Sequence, residues 1–524
     1  MAKNDLLIDI FGTNITISTE ESAEYLDMLL GKYRRTIENV QRTTGLKDPL
    51  KIAVLTGFLL CDDLEKAGSA FVAAKDEEQG ELERLTEGMI SRLNEIIPNA
   101  AEEVYMEERA ENLPIYKLQN NVKNYDWGST DWIPALLGQK NTDLIPQAEL
   151  WMGVNPSAPS RVKLSDASET YGRGSLLSEL ISREKDALLG KETAGKYGTL
   201  PFLFKVLAAE KPLSIQAHPD LRQARNGFER ENLKGIPLDA PDRNYKDSSD
   251  KPEIICAINN FGALCGFRAA REVCFLFEIL SMESEGALKE GFEKLISALR
   301  QQEENPLKAF LSALFNMDSE WLEMLCPFLR EQQEQFKKDF PEYSDEWDLC
   351  VYLSGFFPKD PGILAPLYLN IVELAPDEAL FIPAGVLHSY IKGLGIELMA
   401  DSDNVLRGGL TSKHMDKEEL LSVLNFSRFK PEIMKFPDPA PFCFKYPTPI
   451  GDFSLSAMHG SGTADAYTEA GPSILIVTSG RVIINKTIVL DTGESAFIPP
   501  LKNLEFSGTF TAYLASVKVS SKVI

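Results

Sequence analysis

The spacing of apolar positions changes along this chain, and each change predicts a different kind of element. In LLIDIFGTNITIST, Leu6 to Thr19, apolar residues alternate on both sides of Gly12-Thr13-Asn14, the pattern of a β-hairpin. Glu20 to about Thr43 then reads as helix. From Asp48, with Pro49 at a favourable first helical position, apolar residues recur at steps of three and four: Ile52, Leu55 and Leu59, then Leu82, Leu85, Met89, Leu93 and Ile96. A stripe of that length needs a surface to cover it. A coiled coil with another chain is one solution, packing on the rest of this chain is the other, and Gly68, Gly80 and Gly88 interrupt the helix in either case.

A new texture begins at AENLPIYKLQNNVKNYDWGST, Ala110 to Thr130. Aromatic and β-branched residues interleaved with turn signals continue to about Arg268, which reads as an all-β segment. Between about Glu272 and Tyr352 the period becomes helical, predicting an insertion. Strand texture resumes with LYLNIVELAPDEALFIPAGVLHSY and, after a short helical stretch near Lys417 to Asn425, again from about Phe436. APDEALFIPAG (Ala375 to Gly385) is echoed by DTGESAFIPPL (Asp491 to Leu501), as two copies of one β-barrel unit would be. Only the first copy continues to a histidine, His388.

Composition narrows the functional class. The 524 residues are 44% hydrophobic and 25% charged, a globular balance, and the length predicts several domains. A formal net charge of −24 argues against nucleic acid as a partner. Apolar runs such as ALFIPAGVL are too short to span a membrane, and MAKNDLLIDIFG lacks the basic and apolar regions of a signal peptide, so a cytoplasmic protein is expected. Seven cysteines without a C-x-x-C pair read as free thiols.

The candidate chemistry begins at LSIQAHPD, Leu213 to Asp220, where Gln216 and His218 interrupt a run that reads as buried strand. Alternation puts both on one side, the spacing of a metal site, although a pair of satisfied hydrogen bonders fits the same motif. The chain has four histidines. His218 and His388 lie in strand contexts and are the candidate ligands, whereas His414 and His459 are read as solvated or structural. Glu253 opens the apolar strand EIICAI, where an unpaired charge is costly and coordination would stabilise it; a surface ion pair with Lys251 is the alternative. Glu397 alternates with Ile396 and Leu398 and therefore points away from them, toward the side of the His388 neighbours.

Two resemblances organise these readings. The first hundred or so residues, with IDIFGTNITI and LKIAVLTGFLLCDDLEKA, resemble the ZapA family of cell-division proteins, which implies self-association through the long helix and, beyond it, contact with FtsZ. LSIQAHPD, DKPEIICAINNFGALCGFR and GVLHSYIKGLGIELMADSDNVLRGGLTSKHMD, with NYDWGS and AELWMG before them, resemble the signature blocks of type I phosphomannose isomerases. That resemblance implies a mainly β fold of cupin-type barrels, catalytic and C-terminal, with a helical insertion, preceded by the α+β ZapA-like domain with its long helix. The boundaries expected are 1–107 for the ZapA-like domain, 108–270 with 370–430 for the catalytic cupin, 271–369 for the insertion and 431–524 for the C-terminal cupin.

It further implies one zinc ion per chain held by Gln216, His218, Glu253 and His388, and interconversion of mannose 6-phosphate and fructose 6-phosphate through an enediol, feeding GDP-mannose synthesis. Arg407 matches the family's active-site arginine, and a guanidinium that stays protonated acts electrostatically. Glu397 and Lys413 are the candidates for proton transfer, Lys413 being equally suited to a phosphate. Ser214, Lys205 and Tyr390 are the remaining substrate-binding candidates. A competing reading is a sugar-phosphate sensor linked to cell division, and another is a cupin of different chemistry such as dioxygenation, against which the glutamine ligand counts.

Overall fold

The computed structural model describes residues 4–10, 13–19, 22–44, 52, 56, 57, 59–61, 113–163, 174–301 and 305–519. The chain divides into two compact units, Met1–Glu103 and Val104–Ile524.

In the first unit the alternating segment forms the strands Asn4–Ile10 and Thr13–Thr19, antiparallel, with Ile10 opposite Thr13. The helix Ala23–Thr44 follows. The Ser22 hydroxyl accepts a hydrogen bond from the Tyr25 backbone N–H and so occupies one of the unsatisfied donors of the first turn. Leu26 and Val40 are buried, while Tyr25, Met28 and Leu29 are exposed. Ile52, Thr56 and Leu59 are helical, the first two buried and Leu59 exposed. Leu55 and the later stripe of Leu82, Leu85, Met89, Leu93 and Ile96 lie outside the described residues.

The second unit is built on two antiparallel sheets, of eleven and ten strands among the described residues. The spine of the first is the long strand His388–Ala400. Its beginning pairs with Ile215–Ala217 and Phe261–Phe267, and its end with Phe202–Ala209 and Glu253–Ala257. The change of partners happens at Gly393, whose φ of +146° is out of reach for other residues and where a Cβ would stand 2.5 Å from Phe261. Among the described residues the expected barrel does not close: the path of paired strands runs from Ile433–Met434 at one end to Asn121–Lys123 at the other.

Strands such as FLFKVLAA and EIICA are buried at every position, Lys205 and Glu253 included, because both of their faces are covered. Phe202, Phe204, Val206, Ile254, Cys256, Ile396 and Leu398 face a core shared with Phe453, Leu455, Ile474, Ile476, Phe497 and Tyr513 of the second sheet. The alternate positions face the concave side of the first sheet. There Leu207, Ile255, Phe261, Ala263, Cys265, Leu380 and Tyr390 form a separate cluster.

Two features differ from the sequence reading, whereas the helical insertion falls where it is expected. Tyr116–Gln119 and Arg161–Val162 do not join the sheet that follows them; Tyr116–Gln119 pairs onto Ser495–Ile498, Arg161–Val162 pairs onto Tyr116–Gln119, and together they complete the second sheet. Tyr116 and Leu118 are drawn there by the shared core, which both sheets need for closure of their apolar faces. The segment before Arg268 is not all-β, since it contains the helices Leu177–Arg183, Lys185–Leu189, Lys191–Lys196 and Leu221–Leu233. The helical insertion runs from Ala270 to Tyr368 and closes its own core over one end of the first sheet, around Phe277, Phe292, Phe310, Trp321 and Trp347. Asn305 and Asp318 cap two of its helices with their side chains.

Candidate metal centre

On the concave side of the first sheet, antiparallel register sets His388 opposite Gln216 and Gln216 opposite Arg407. Residues directly opposed in antiparallel strands project to the same face, so one row carries an imidazole, an amide and a guanidinium. His218 follows one step beyond the end of its strand. Glu253 begins its own strand opposite Met399, which brings its carboxylate between the two rings. Glu253 Oε1 lies 3.2 Å from His218 Nε2, and Oε2 lies 3.3 Å from His388 Nε2. The Gln216 amide is 3.4 Å from His388 Nε2.

The tautomers are set from behind. His218 Nδ1 lies 2.7 Å from the Asn404 carbonyl oxygen, and His388 Nδ1 lies 3.0 Å from that of Val386. A carbonyl only accepts, so each Nδ1 carries the proton and each Nε2 turns a lone pair toward Glu253. The result is a set of acceptors facing one another. His218 Nε2 and both oxygens of Glu253 are buried with no hydrogen-bond partner among the described residues. A buried carboxylate left that way would cost several kcal/mol. A cation between these atoms removes the conflict.

His218, Glu253 and His388 offer ligand atoms within 4.8 Å of one another and form the one such cluster of potential metal-binding side chains among the described residues. Two imidazoles, a carboxylate and an amide whose oxygen can take the inward position suit a tetrahedral zinc site. Burial lowers the His218 imidazole pKa, favouring the neutral form that ligation requires. Burial opposes the charge on Glu253, and the cationic Lys251 beside it favours the carboxylate. Lys251 is not the exposed partner that a surface ion pair would supply: it is buried, with Nζ 3.4 Å from Glu253 Oε1.

A second polar cluster shares the concave face. Lys205, opposite Glu397 on the spine and opposite Trp151 on its other side, lies 2.8 Å from Glu149 Oε1 and 2.7 Å from Glu397 Oε2. The Tyr390 hydroxyl donates to Glu397 Oε1 at 2.8 Å, and Trp151 Nε1 donates to Glu149 Oε2 at 2.8 Å. Burial disfavours the Lys205 ammonium, but the two carboxylates outweigh it and raise its pKa. Burial raises the Glu397 carboxyl, with Lys205 opposing.

Arg407 is half-buried and carries no ion pair among the described residues; burial lowers its pKa. Lys413 is on the exposed loop after the Leu406–Gly409 strand, where partial burial and then the Arg407 guanidinium lower its ammonium. Glu397 and Lys413 therefore belong to different surroundings, one a closed network and the other an open rim. Ser214 is half-buried beside the Gln216 strand. His414 is exposed, and His459 packs on Phe436 with Nε2 3.3 Å from Asp377 Oδ2.

Glu149 is not reached by the sequence reading, and Lys251 is reached only as a surface ion-pair partner of Glu253. Glu149 offers the same signal as Glu253, a charge opening an apolar strand, ELWM, all four of whose residues are buried. Lys251 offers none of its own, because a lysine next to a glutamate is ordinary on any surface.

The family model for the type I phosphomannose isomerase catalytic domain matches residues 115–270, and that for cell division protein ZapA matches residues 6–95. Mannose-6-phosphate isomerase of Escherichia coli is 36% identical over 387 residues, covering 73% of this chain and 94% of that protein. The Schizosaccharomyces pombe enzyme of the same name is 33% identical over 408 residues, 74% of this chain and 93% of its own. The crystal structure of mannose 6-phosphate isomerase from Salmonella typhimurium, bound to its substrate fructose 6-phosphate and zinc, superposes with a TM-score of 0.68 at 32% identity, covering 78% of this chain and all of that one. Identity of this extent over nearly the whole length of such relatives shows that the chain belongs to the type I phosphomannose isomerase family.

Proposed function

We propose that the protein is a zinc-dependent aldose-ketose isomerase that interconverts mannose 6-phosphate and fructose 6-phosphate. The observation that carries this reading is the buried convergence of His218, Glu253 and His388, in which His218 Nε2 and both Glu253 oxygens make no hydrogen bond among the described residues, with Gln216 and Arg407 in the same row. Gln216, His218, Glu253 and His388 would hold zinc, which would supply a Lewis acid to offset negative charge on the sugar oxygens. The chain's own groups do the rest. Arg407, cationic and without a carboxylate partner among the described residues, is placed to hold the oxygens of an enediolate. Lys413 at the rim, beside Arg407, is suited to the phosphate or to a proton, with Ser214 close to the ligand strand. Glu397, a carboxyl whose pKa burial raises, is the candidate for moving the proton between C2 and C1, with Tyr390 and Lys205 fixing its two oxygens.

The test is production of fructose 6-phosphate from mannose 6-phosphate by the purified chain, before and after a chelator and again after added zinc. Loss and recovery of turnover are expected. A chelator-resistant rate would overturn the metal's role, and no turnover of this sugar with zinc bound would overturn the substrate.

The ZapA match supports a role for residues 1–107 in self-association, aided by the exposed Tyr25, Met28 and Leu29 on one helix. Light scattering should show the full chain larger than a monomer and a chain begun at about Ala110 reduced by at least one association step, with zinc and turnover retained. Two monomers would overturn this. Contact with FtsZ, the further implication of the resemblance, is read by co-sedimentation with FtsZ polymers. No helix among the described residues is long and apolar enough to cross a membrane, and the seven cysteines are free thiols, which supports a cytoplasmic setting.

A further inference from the structure

Asn404 lies in the turn between the long spine and the strand that carries Arg407, and its side chain is wholly buried. Its main-chain carbonyl is the acceptor that holds His218 Nδ1 at 2.7 Å. Its side chain is used to capacity in another direction. Oδ1 accepts from the backbone N–H groups of Lys246 at 2.7 Å and Asp247 at 3.2 Å. Nδ2 donates to the Asp247 carbonyl at 3.0 Å, to Asp247 Oδ1 at 3.1 Å and to the Ser249 carbonyl at 2.9 Å. With two N–H groups on its oxygen side and three acceptors on its nitrogen side, only an amide satisfies the position.

The segment so gripped, residues 246–249, leads directly into Lys251 and Glu253. Ser402 reinforces the grip: its hydroxyl donates to Asp247 Oδ1 at 2.8 Å and lies 3.3 Å from the Asn404 N–H. Asp247 Oδ2 also accepts from the Asp403 N–H at 2.9 Å. One residue thus touches the support of a histidine ligand, the approach to the carboxylate ligand and the turn before the active-site arginine.

We propose that Asn404 is a positioning residue that locks the His218 tautomer and the placement of Glu253 to each other, so that the ligand set is pre-formed before zinc arrives. Groups behind metal ligands typically change metal affinity by about 10–100-fold when lost. Asn404→Asp keeps the shape and the accepting oxygen but replaces the donor with a carboxylate oxygen facing Asp247 and two carbonyls. The grip should open, and the carbonyl behind His218 should move with it.

The experiment is zinc affinity of the full-length, metal-stripped chain by chelator competition, with the absorption spectrum of the cobalt-substituted protein as a direct view of the ligand geometry. Asn404→Asp is expected to weaken zinc about 10–100-fold and to alter the cobalt bands. Leu475→Ala, in the core of the second sheet, is expected to lower the melting temperature and leave both readouts in place. Equal zinc affinity for the parent and Asn404→Asp would overturn the role of Asn404, as would an equal loss of affinity in Leu475→Ala. Where Asn404→Asp does not fold, Ser402→Ala carries the test: a severalfold loss of affinity is expected, and none would overturn the inference. The inference rests on the metal centre proposed above, and the parent titration separates the two, since a parent that takes up no zinc would overturn the centre itself.

Discussion

The strands Ala379–Ile382 and Ser495–Ile498 both end in Phe-Ile with a proline directly after, and each feeds a following strand of its own sheet. Where the first continues to His388, the second continues to Leu504. His388 meets Glu253 and Gln216, whereas Leu504 packs with Val482, Leu490, Phe506 and Leu514 in an apolar interior. The same local unit thus supports a ligand site in one sheet and a core in the other. What differs is the neighbourhood: the first sheet sets Glu149, Lys205, Glu253 and Glu397 on its concave face, each stabilised by an opposite charge or by a convergent ligand set. A single histidine does not make a metal centre. The surrounding strands have to supply the other ligands, the Nδ1 acceptors and a face already committed to charge.

The largest test of that contrast exchanges the two positions. His388→Ala, like His218→Ala, should abolish zinc retention and turnover, because a single remaining imidazole with oxygen ligands holds zinc poorly. Leu504→His should bind no zinc at the second sheet and should destabilise that sheet by about 1–3 kcal/mol through a buried, unsatisfied polar ring. Metal analysis and denaturant unfolding read both. A second equivalent of zinc in the Leu504→His variant would show that the unit, not its surroundings, makes the site.

Next in size is the buried charge of the first sheet. Lys205→Met leaves Glu149 and Glu397 facing each other without their ammonium and should cost on the order of 3–5 kcal/mol. A loss below about 1 kcal/mol in urea unfolding would mean that water or a shared proton replaces the lysine.

Arg407→Lys should keep zinc and fold but lower kcat on the order of a hundredfold, because a lysine cannot reproduce a planar multi-donor contact. A rise in KM alone would make Arg407 a binding group.

The smallest effect belongs to the second sheet. Burial opposes the charge on Glu494, but the Asp491 backbone N–H and then Lys117 and Lys163 lower its pKa from 4.5 to about 2. A carboxyl depressed in the folded state stabilises above its unfolded pKa and loses that contribution as pH falls through the folded one. Glu494→Gln should therefore lower the melting temperature slightly at neutral pH and flatten its dependence between about pH 4.5 and 2. An unchanged acid profile would show that the Tyr116–Gln119 strand is held by its apolar face alone.

How far the molecule can be read from its residues differs from place to place. A charge within or at the head of an apolar strand is legible, because its burial demands a partner, and Glu253 and Glu397 stand out on that ground. Glu149 carries the same sign in ELWM, but a single carboxylate far from the ligand blocks has nothing in the sequence to link it to them. Lys251 and Asn404 carry no sign at all: a lysine beside a glutamate and an asparagine in a turn are common, and their burial depends on chain far away in sequence. The helices between Leu177 and Lys196 escape a periodicity reading because each is too short to display a period.

Alternation and rarity, read from the sequence alone, determined the hairpin, the helical insertion, the repeated Phe-Ile-Pro unit and the choice of His218, Glu253 and His388 as candidates, since face and residue type are local properties. Register is not local. That His388 stands opposite Gln216 and Gln216 opposite Arg407, that two backbone carbonyls fix the imidazole tautomers, and that Tyr116–Gln119 crosses to the second sheet all depend on how strands distant along the chain are paired. Only tertiary structure decides such pairings, because a strand shifted by one residue exchanges every side chain between core and cleft while its sequence stays the same.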